Sequence, residues 1–413
     1  MSVLALTWAI TSLAIAHAQN DRPRNDAIAR LDRQIENGAA TLEFRPGFGY
    51  LPSLLEHLDV KADSQVLVFS KTSFQQALIT PQNPRALYFG DSVSVGTVPG
   101  GDVYELVTLE PSDGLAFYTL STRQDERPRF KRRGVECLFC HSPGNKGAPA
   151  LVVASVIPNA EGTPAYTGSF ISTIDHRAPF ENRWGGWYVT GTHGSQKHLG
   201  NAFAPDPEQP FDLQQAGSQN LTSLRDKLDV SKYLTASSDI VALMTLEHQV
   251  GIVNRINALS FQYRRAERSG GVSDAEWKRF ETDIDDLAGY LLFVDEAPLR
   301  EPVEGTSTFA ATFAARGPRD MKGRSLRDFD LQTHLFRHRL SYMIYSDGFD
   351  GMPTAIRERV YRRVYDVLTG MDTSKKYELF SDADRKAVLE ILLDTKANLP
   401  TYWTDTATRS GQR

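Results

Sequence analysis

Val103-Tyr104-Glu105-Leu106-Val107-Thr108-Leu109 and Leu115-Ala116-Phe117-Tyr118-Thr119-Leu120, joined across Asp113-Gly114, read as a β-hairpin. Both runs are rich in β-branched and aromatic residues, which suit a pleated surface, and Asp-Gly is a turn dipeptide. Ser64-Gln65-Val66-Leu67-Val68-Phe69 has the same texture. Leu151 to Ile157 and Ala165 to Ser172 make a second pair across Pro158-Asn159-Ala160-Glu161-Gly162. An antiparallel sheet is therefore expected between Ser64 and about Thr192.

The texture then changes. Ala204-Pro205-Asp206-Pro207-Glu208-Gln209-Pro210 can continue neither a helix nor a central strand, so 203–220 reads as a linker or long loop. Beyond Leu221 the apolar period becomes helical: Val241, Met244, His248, Ile252, Ile256, Leu259 and Tyr263 recur three or four apart. Ser273-x-x-Glu276 is a capping box opening a helix that turns Trp277, Phe280, Ile284, Leu287 and Leu291 inward. Ile356, Val360, Val364 and Val367 form another helix, stopped by Gly370, and Ser381 caps a last one. The fold class expected is α+β: a β-rich domain over 19–202, then a mainly α-helical domain over 221–405 and a tail over 406–413.

The 413 residues carry 46 basic against 51 acidic side chains. Neither half is a basic block (18 against 21 up to residue 210, 28 against 30 after it), which argues against a nucleic-acid partner. Residues 1–18 read as a cleaved signal peptide. Leu4 to Ala16 is uncharged and mostly apolar, Ala16-His17-Ala18 places small residues at the cleavage site, and the first charged side chain is Asp21. No later stretch is apolar for long enough to span a bilayer. The expected location is the periplasm or another extracytoplasmic space.

The chemistry is concentrated in Cys137-Leu138-Phe139-Cys140-His141. These are the only two cysteines, three apart, with a histidine directly after the second. Two thiolates at this spacing reach the two vinyl groups on one edge of a haem, and the adjacent imidazole swings under the porphyrin to bind iron. A thioredoxin-type pair would want a strand before and a helix after, whereas Ser142 to Gly147 reads as loop. A zinc site would need a second pair of ligands at matching spacing.

On residues 137–141 the chain resembles the c-type cytochromes. The resemblance implies one covalent haem c, with Cys137 and Cys140 as thioether attachment points and His141 as axial ligand. Small cytochromes place a helix before the motif, while here Arg123 to Arg133 reads as a basic loop after a strand. The stretch Arg183 to Gly194 is similar to large, uncharacterised bacterial monohaem proteins, a likeness that brings no known reaction.

Several residues compete for the other face of the iron. His193 and His198 lie in a Gly-rich stretch behind Trp184 and Trp187, as a pocket lid would. Met244 and His248 stand one helical turn apart. Met352 in Gly351-Met352-Pro353 is the third place; apart from these, His334 and His338 are expected to share a helical face that could grip a metal, but lack a third ligand and read as solvated neighbours of Arg337 and Arg339. Arg177 or Arg183 is expected to pair with haem propionates. The run Arg123, Arg127, Arg129, Lys131, Arg132 and Arg133 reads as a solvated loop or a docking patch for an acidic partner. The function expected first is single-electron transfer to a redox partner protein. A peroxidase-type enzyme using His193 or His198, and an extracytoplasmic haem sensor, are the alternatives.

Overall fold

The computed structural model describes residues 25–110, 112–141, 147–164, 172–204 and 217–404. The expected signal peptide, most of the expected linker and the tail lie outside the described residues, as does most of the strand expected from Ala165.

Helices α1 (Ala27–Glu36) and α2 (Leu51–His57) precede a seven-stranded sheet. Its strands are β1 (Val66–Val68), β2 (Arg85–Phe89), β3 (Val93–Thr97), β4 (Val103–Glu110), β5 (Gly114–Ser121), β6 (Lys131–Arg133) and, later in the chain, β9 (Trp187–Tyr188). The spatial order is β6-β5-β4-β3-β2-β1-β9, every neighbour antiparallel. The β4–β5 hairpin runs in register from Val103↔Ser121 to Glu110↔Gly114. Gly114 adopts φ +88, which favours glycine, and a Cβ there would collide with the Asn257 amide. Of the second expected pair, the described residues form β7 (Ala154–Ser155) and β8 (Ser172–Thr173), bonded as a two-stranded ladder.

Both faces of the sheet are covered, which is why β5 reads as an almost unbroken apolar run. Leu67, Tyr88, Val95, Leu106, Tyr118 and Leu120 pack with Ile28, Leu31, Leu51 and Leu54 of α1 and α2. On the opposite face, Val66, Val68, Phe89, Leu115 and Phe117 share one cluster with the helical half of the chain.

At the centre of that cluster lies α4 (Ile240–Arg268), 29 residues long and buried on every side from Ile240 to Val253. Asp239 caps it, accepting from the Val241 and Ala242 amides. The capping box at Ser273 opens α5 (Asp274–Leu291) with both reciprocal bonds formed. The chain continues through α6 (Phe309–Ala315), α7 (Asp347–Asp350), α8 (Thr354–Leu368) and α9 (Asp382–Thr395). The two halves interlock. Gln65 on the sheet side donates to the Thr235 and Ser237 carbonyls, and β10 (Gly191–Thr192) pairs with β11 (Glu304–Gly305).

His334 and His338 are not on a helix. The Asp330 carboxylate accepts from the Gln332, Thr333 and His334 amides, closing a turn where the spacing predicted a helical face.

Candidate functional site

The Cys-Leu-Phe-Cys-His motif forms a short helix, α3 (Val135–His141), directly behind the edge strand β6. Part of the expected basic loop is thus a strand. Phe117 pairs with Arg133, Tyr118 with Arg132 and Thr119 with Lys131, and Arg133 Nε donates to Thr119 Oγ1 at 2.9 Å. Basic side chains suit this edge, because they discourage pairing with another strand. Four of the run's six cations also have acidic neighbours. Arg123 meets Asp102, Arg129 meets Asp32 and Glu36, Arg132 meets Asp113, and Arg133 meets Glu136.

Within α3 the two cysteines are one helical turn apart and share a face, which puts their Cβ atoms about 5–6 Å from each other. They are unbridged, Cys137 half-buried and Cys140 exposed. Burial, then the neighbouring Glu136 charge, pushes the Cys137 thiol above its ordinary pKa. A thioredoxin-type nucleophile needs the opposite shift.

His141 is held from two sides. Its ring lies 4.7 Å from that of Phe117 on β5, and its Nδ1 stands 2.8 Å from the Ala150 carbonyl oxygen. The Ala150 amide in turn donates to the His141 carbonyl at 2.6 Å. A carbonyl can only accept, so the proton sits on Nδ1 and the lone pair on Nε2. Burial lowers the His141 pKa, favouring the neutral ring. An unbridged pair of thiols on one face, followed by a neutral imidazole with its Nε2 lone pair unprotonated, fits a covalently attached haem.

The residues predicted for the second axial position are engaged within the protein. His193 and His198 do not form an open lid; both are buried, their rings 4.7 Å apart and packed around Phe180 and Trp184. The Asn220 amide donates to His193 Nε2 at 3.1 Å, and the Gly200 amide to His198 Nδ1 at 3.0 Å. Those bonds use the lone pairs a metal would need. His248 has both nitrogens occupied: Nδ1 is 2.7 Å from His176 Nδ1, and Nε2 is 2.7 Å from Ser341 Oγ. Met244 and Met352 are buried apolar side chains of the large core.

The two arginines expected at the propionates have protein partners. Arg183 forms a buried ion pair with Glu247 and donates to the His176 and Ala178 carbonyls. Arg177 bonds Asp286 at 2.9 Å and lies over the Tyr290 ring. Among the described residues, no three His, Cys, Asp or Glu side chains converge on a possible metal position.

Sequence reasoning missed His176, Glu247 and Ser341, which join Arg183, Trp184 and His248 into one buried polar chain. Trp184, in the left-handed region at φ +65, donates from Nε1 to Glu247 at 3.2 Å. The available signal was an ionisable pair, Glu247-His248, inside an otherwise apolar helix start. Buried charges at such a place require partners. Comparison of the chain with protein-family models, with curated proteins and with solved structures finds no match.

Proposed function

We propose that this protein is an exported monohaem c-type cytochrome that passes single electrons between partner proteins. Cys137 and Cys140 would hold the haem through their thiols, and His141 would offer Nε2 to its iron. The observation that carries the reading is the His141 Nδ1–Ala150 carbonyl bond at 2.8 Å. It fixes the tautomer and orientation that an axial imidazole needs, on the same helix as two free thiols. The bound haem would supply an iron that cycles between ferrous and ferric. The polypeptide supplies attachment, ligand orientation and an apolar wall that includes Phe117. Export agrees with this chemistry, since c-type haem is attached outside the cytoplasm.

The peroxidase-type alternative gains no support from His193 and His198, whose lone pairs are spent on backbone amides. The sensor alternative has no observation of its own.

The test is production in a cell with working cytochrome maturation, followed by intact mass and a reduced-minus-oxidised spectrum. The expected product is coloured, heavier than the mature polypeptide by one haem, and exported. Cys137→Ser with Cys140→Ser should be colourless. Wild-type protein at the bare polypeptide mass would overturn the proposal. Carbon monoxide added to the reduced protein then reports whether the sixth position is closed.

A further inference from the structure

The helical half of the chain reaches the motif through two asparagines of α4. Asn254 Oδ1 accepts from the Leu151 amide at 2.7 Å, while its Nδ2 donates to the Leu151 carbonyl at 2.8 Å. One turn along, Asn257 Nδ2 donates to the Pro149 carbonyl at 2.7 Å, and its Oδ1 accepts from the Leu115 amide at 3.2 Å. Residues 149 and 151 are thus gripped on either side of Ala150. Ala150 itself faces the other way, exchanging both of its backbone hydrogen bonds with His141.

Asparagine is a poor helix former, since its amide competes for backbone groups. Asn254 and Asn257 instead spend their amides on a segment more than a hundred residues away in sequence. Asn257 is buried, so its side-chain amide has no water to fall back on. The Leu115 bond extends the grip to β5, whose Phe117 supports the other side of the His141 ring. One helix face therefore fixes both the carbonyl and the ring that orient the imidazole.

We propose that Asn254 and Asn257 are positioning residues for the axial ligand. By locking residues 149–151 they hold the Ala150 carbonyl on His141 Nδ1, and so set how strongly the imidazole donates to iron. The proposal rests on His141 being that ligand. A hydrogen bond at the outer nitrogen raises ligand basicity and favours the ferric state. Loosening the clamp should weaken that bond and raise the reduction potential.

The experiment compares haem-loaded wild type with Asn254→Leu, Asn254→Asp and Ser273→Ala. Asn254→Leu removes both bonds to Leu151 and suits a helix. Asn254→Asp keeps the acceptor for the Leu151 amide and loses the donor. Ser273→Ala removes the α5 cap and is a stability control. The expected result is an upward shift of potential in Asn254→Leu and none in Ser273→Ala; Asn254→Asp adds a charge that itself favours ferric iron, so it is read by proton exchange rather than by potential. In parallel, solvent exchange of the His141 ring N–H proton, followed by NMR in the ferrous protein, should quicken most in Asn254→Leu, less in Asn254→Asp and not in Ser273→Ala. If Asn254→Leu does not fold, Asn254→Asp alone must show the faster proton exchange. Covalent haem with an unchanged potential and unchanged proton exchange would overturn the inference. Failure of wild-type protein to carry haem would instead overturn the function on which it rests.

Discussion

Arg183 and Glu247 form an ion pair with no access to water, between the turn that leads into β9 and the buried first half of α4. Each partner is satisfied further, Arg183 by the His176 and Ala178 carbonyls and Glu247 by the Trp184 indole. A charge taken this far from solvent is tolerated only while paired. Arg183→Met should therefore cost about 3–5 kcal/mol, because it strands Glu247. Arg183→Met with Glu247→Met should recover part of that loss, since neither charge remains. Urea unfolding of the two single variants and the double variant measures the coupling, and strictly additive losses would contradict it.

The same region sets how stability depends on pH. Burial pushes Glu247 and Glu296 up to about 7, and it pulls His248 down to about 3, with His176 and His198 also well below their ordinary range and His193 lowered. Below the ordinary histidine pKa of 6.5 the unfolded chain binds protons on these four rings that the folded chain refuses. Stability then rises with pH. The glutamates act oppositely: between 4.5 and about 7 the folded chain keeps protons that the unfolded chain has lost. Four rings outweigh two carboxyls, so stability should climb toward pH 6.5 by on the order of 1 kcal/mol per pH unit for each net proton. It should then dip slightly and level off above 7. Urea midpoints from pH 5 to 8 test this, and Glu247→Gln should steepen the climb below 6.5 and make the dip above it shallower. A midpoint still rising at pH 8 would exclude it.

How much of this was readable in the sequence depends on range. The β4–β5 hairpin and the α5 capping box are local: turn residues, alternation and a three-residue spacing decide them. The motif is local too, since its chemistry is carried by five consecutive residues. The partners of Arg183, His248 and His141 are 64, 93 and 9 residues away, and no periodicity announces them. His193 and His198 looked like a flexible lid because glycines flank them. Their burial comes from Phe180 and Trp184 packing over them, which spacing does not encode. Arg177 or Arg183 reads as a cofactor partner because the carboxylates that take them, Asp286 on α5 and Glu247 on α4, are far away in the chain.

Ser341 links the end of the buried chain to the segment before α7. Its hydroxyl meets His248 Nε2 at 2.7 Å and accepts from the Met343 amide at 3.2 Å. Ser341→Ala leaves a fully buried ring nitrogen unpaired and an amide uncapped. The expected cost is about 1–3 kcal/mol in chemical denaturation. Ser341→Thr, which keeps the hydroxyl, should lose less than Ala unless its extra methyl overpacks the site. A neutral Ser341→Ala would mean that the bond adds nothing to stability.

Gly251 lies in the middle of α4, where glycine ordinarily costs about 1 kcal/mol relative to alanine. Gly251→Ala would thus be stabilising on propensity alone. A Cβ at this position, however, would collide with the hydroxyl of Tyr290 on α5. Tyr290 has little room to retreat, with the Arg255 guanidinium 3.7 Å from its ring centroid on one side and the His176 ring 4.0 Å away on another. Its hydroxyl is buried and makes no hydrogen bond among the described residues. Tyr290→Phe should therefore be neutral or mildly stabilising, because it deletes an unsatisfied polar group. Gly251→Ala should be destabilising by about 1–3 kcal/mol, as overpacked cores are. Combining the two removes the oxygen but leaves the ring carbon Cζ in the way, so only part of the loss should return, and the two changes should not be additive. Thermal unfolding of the four proteins decides the point: if Gly251→Ala is as stable as wild type, α4 and α5 can separate at this crossing, and close packing is not what demands a glycine there.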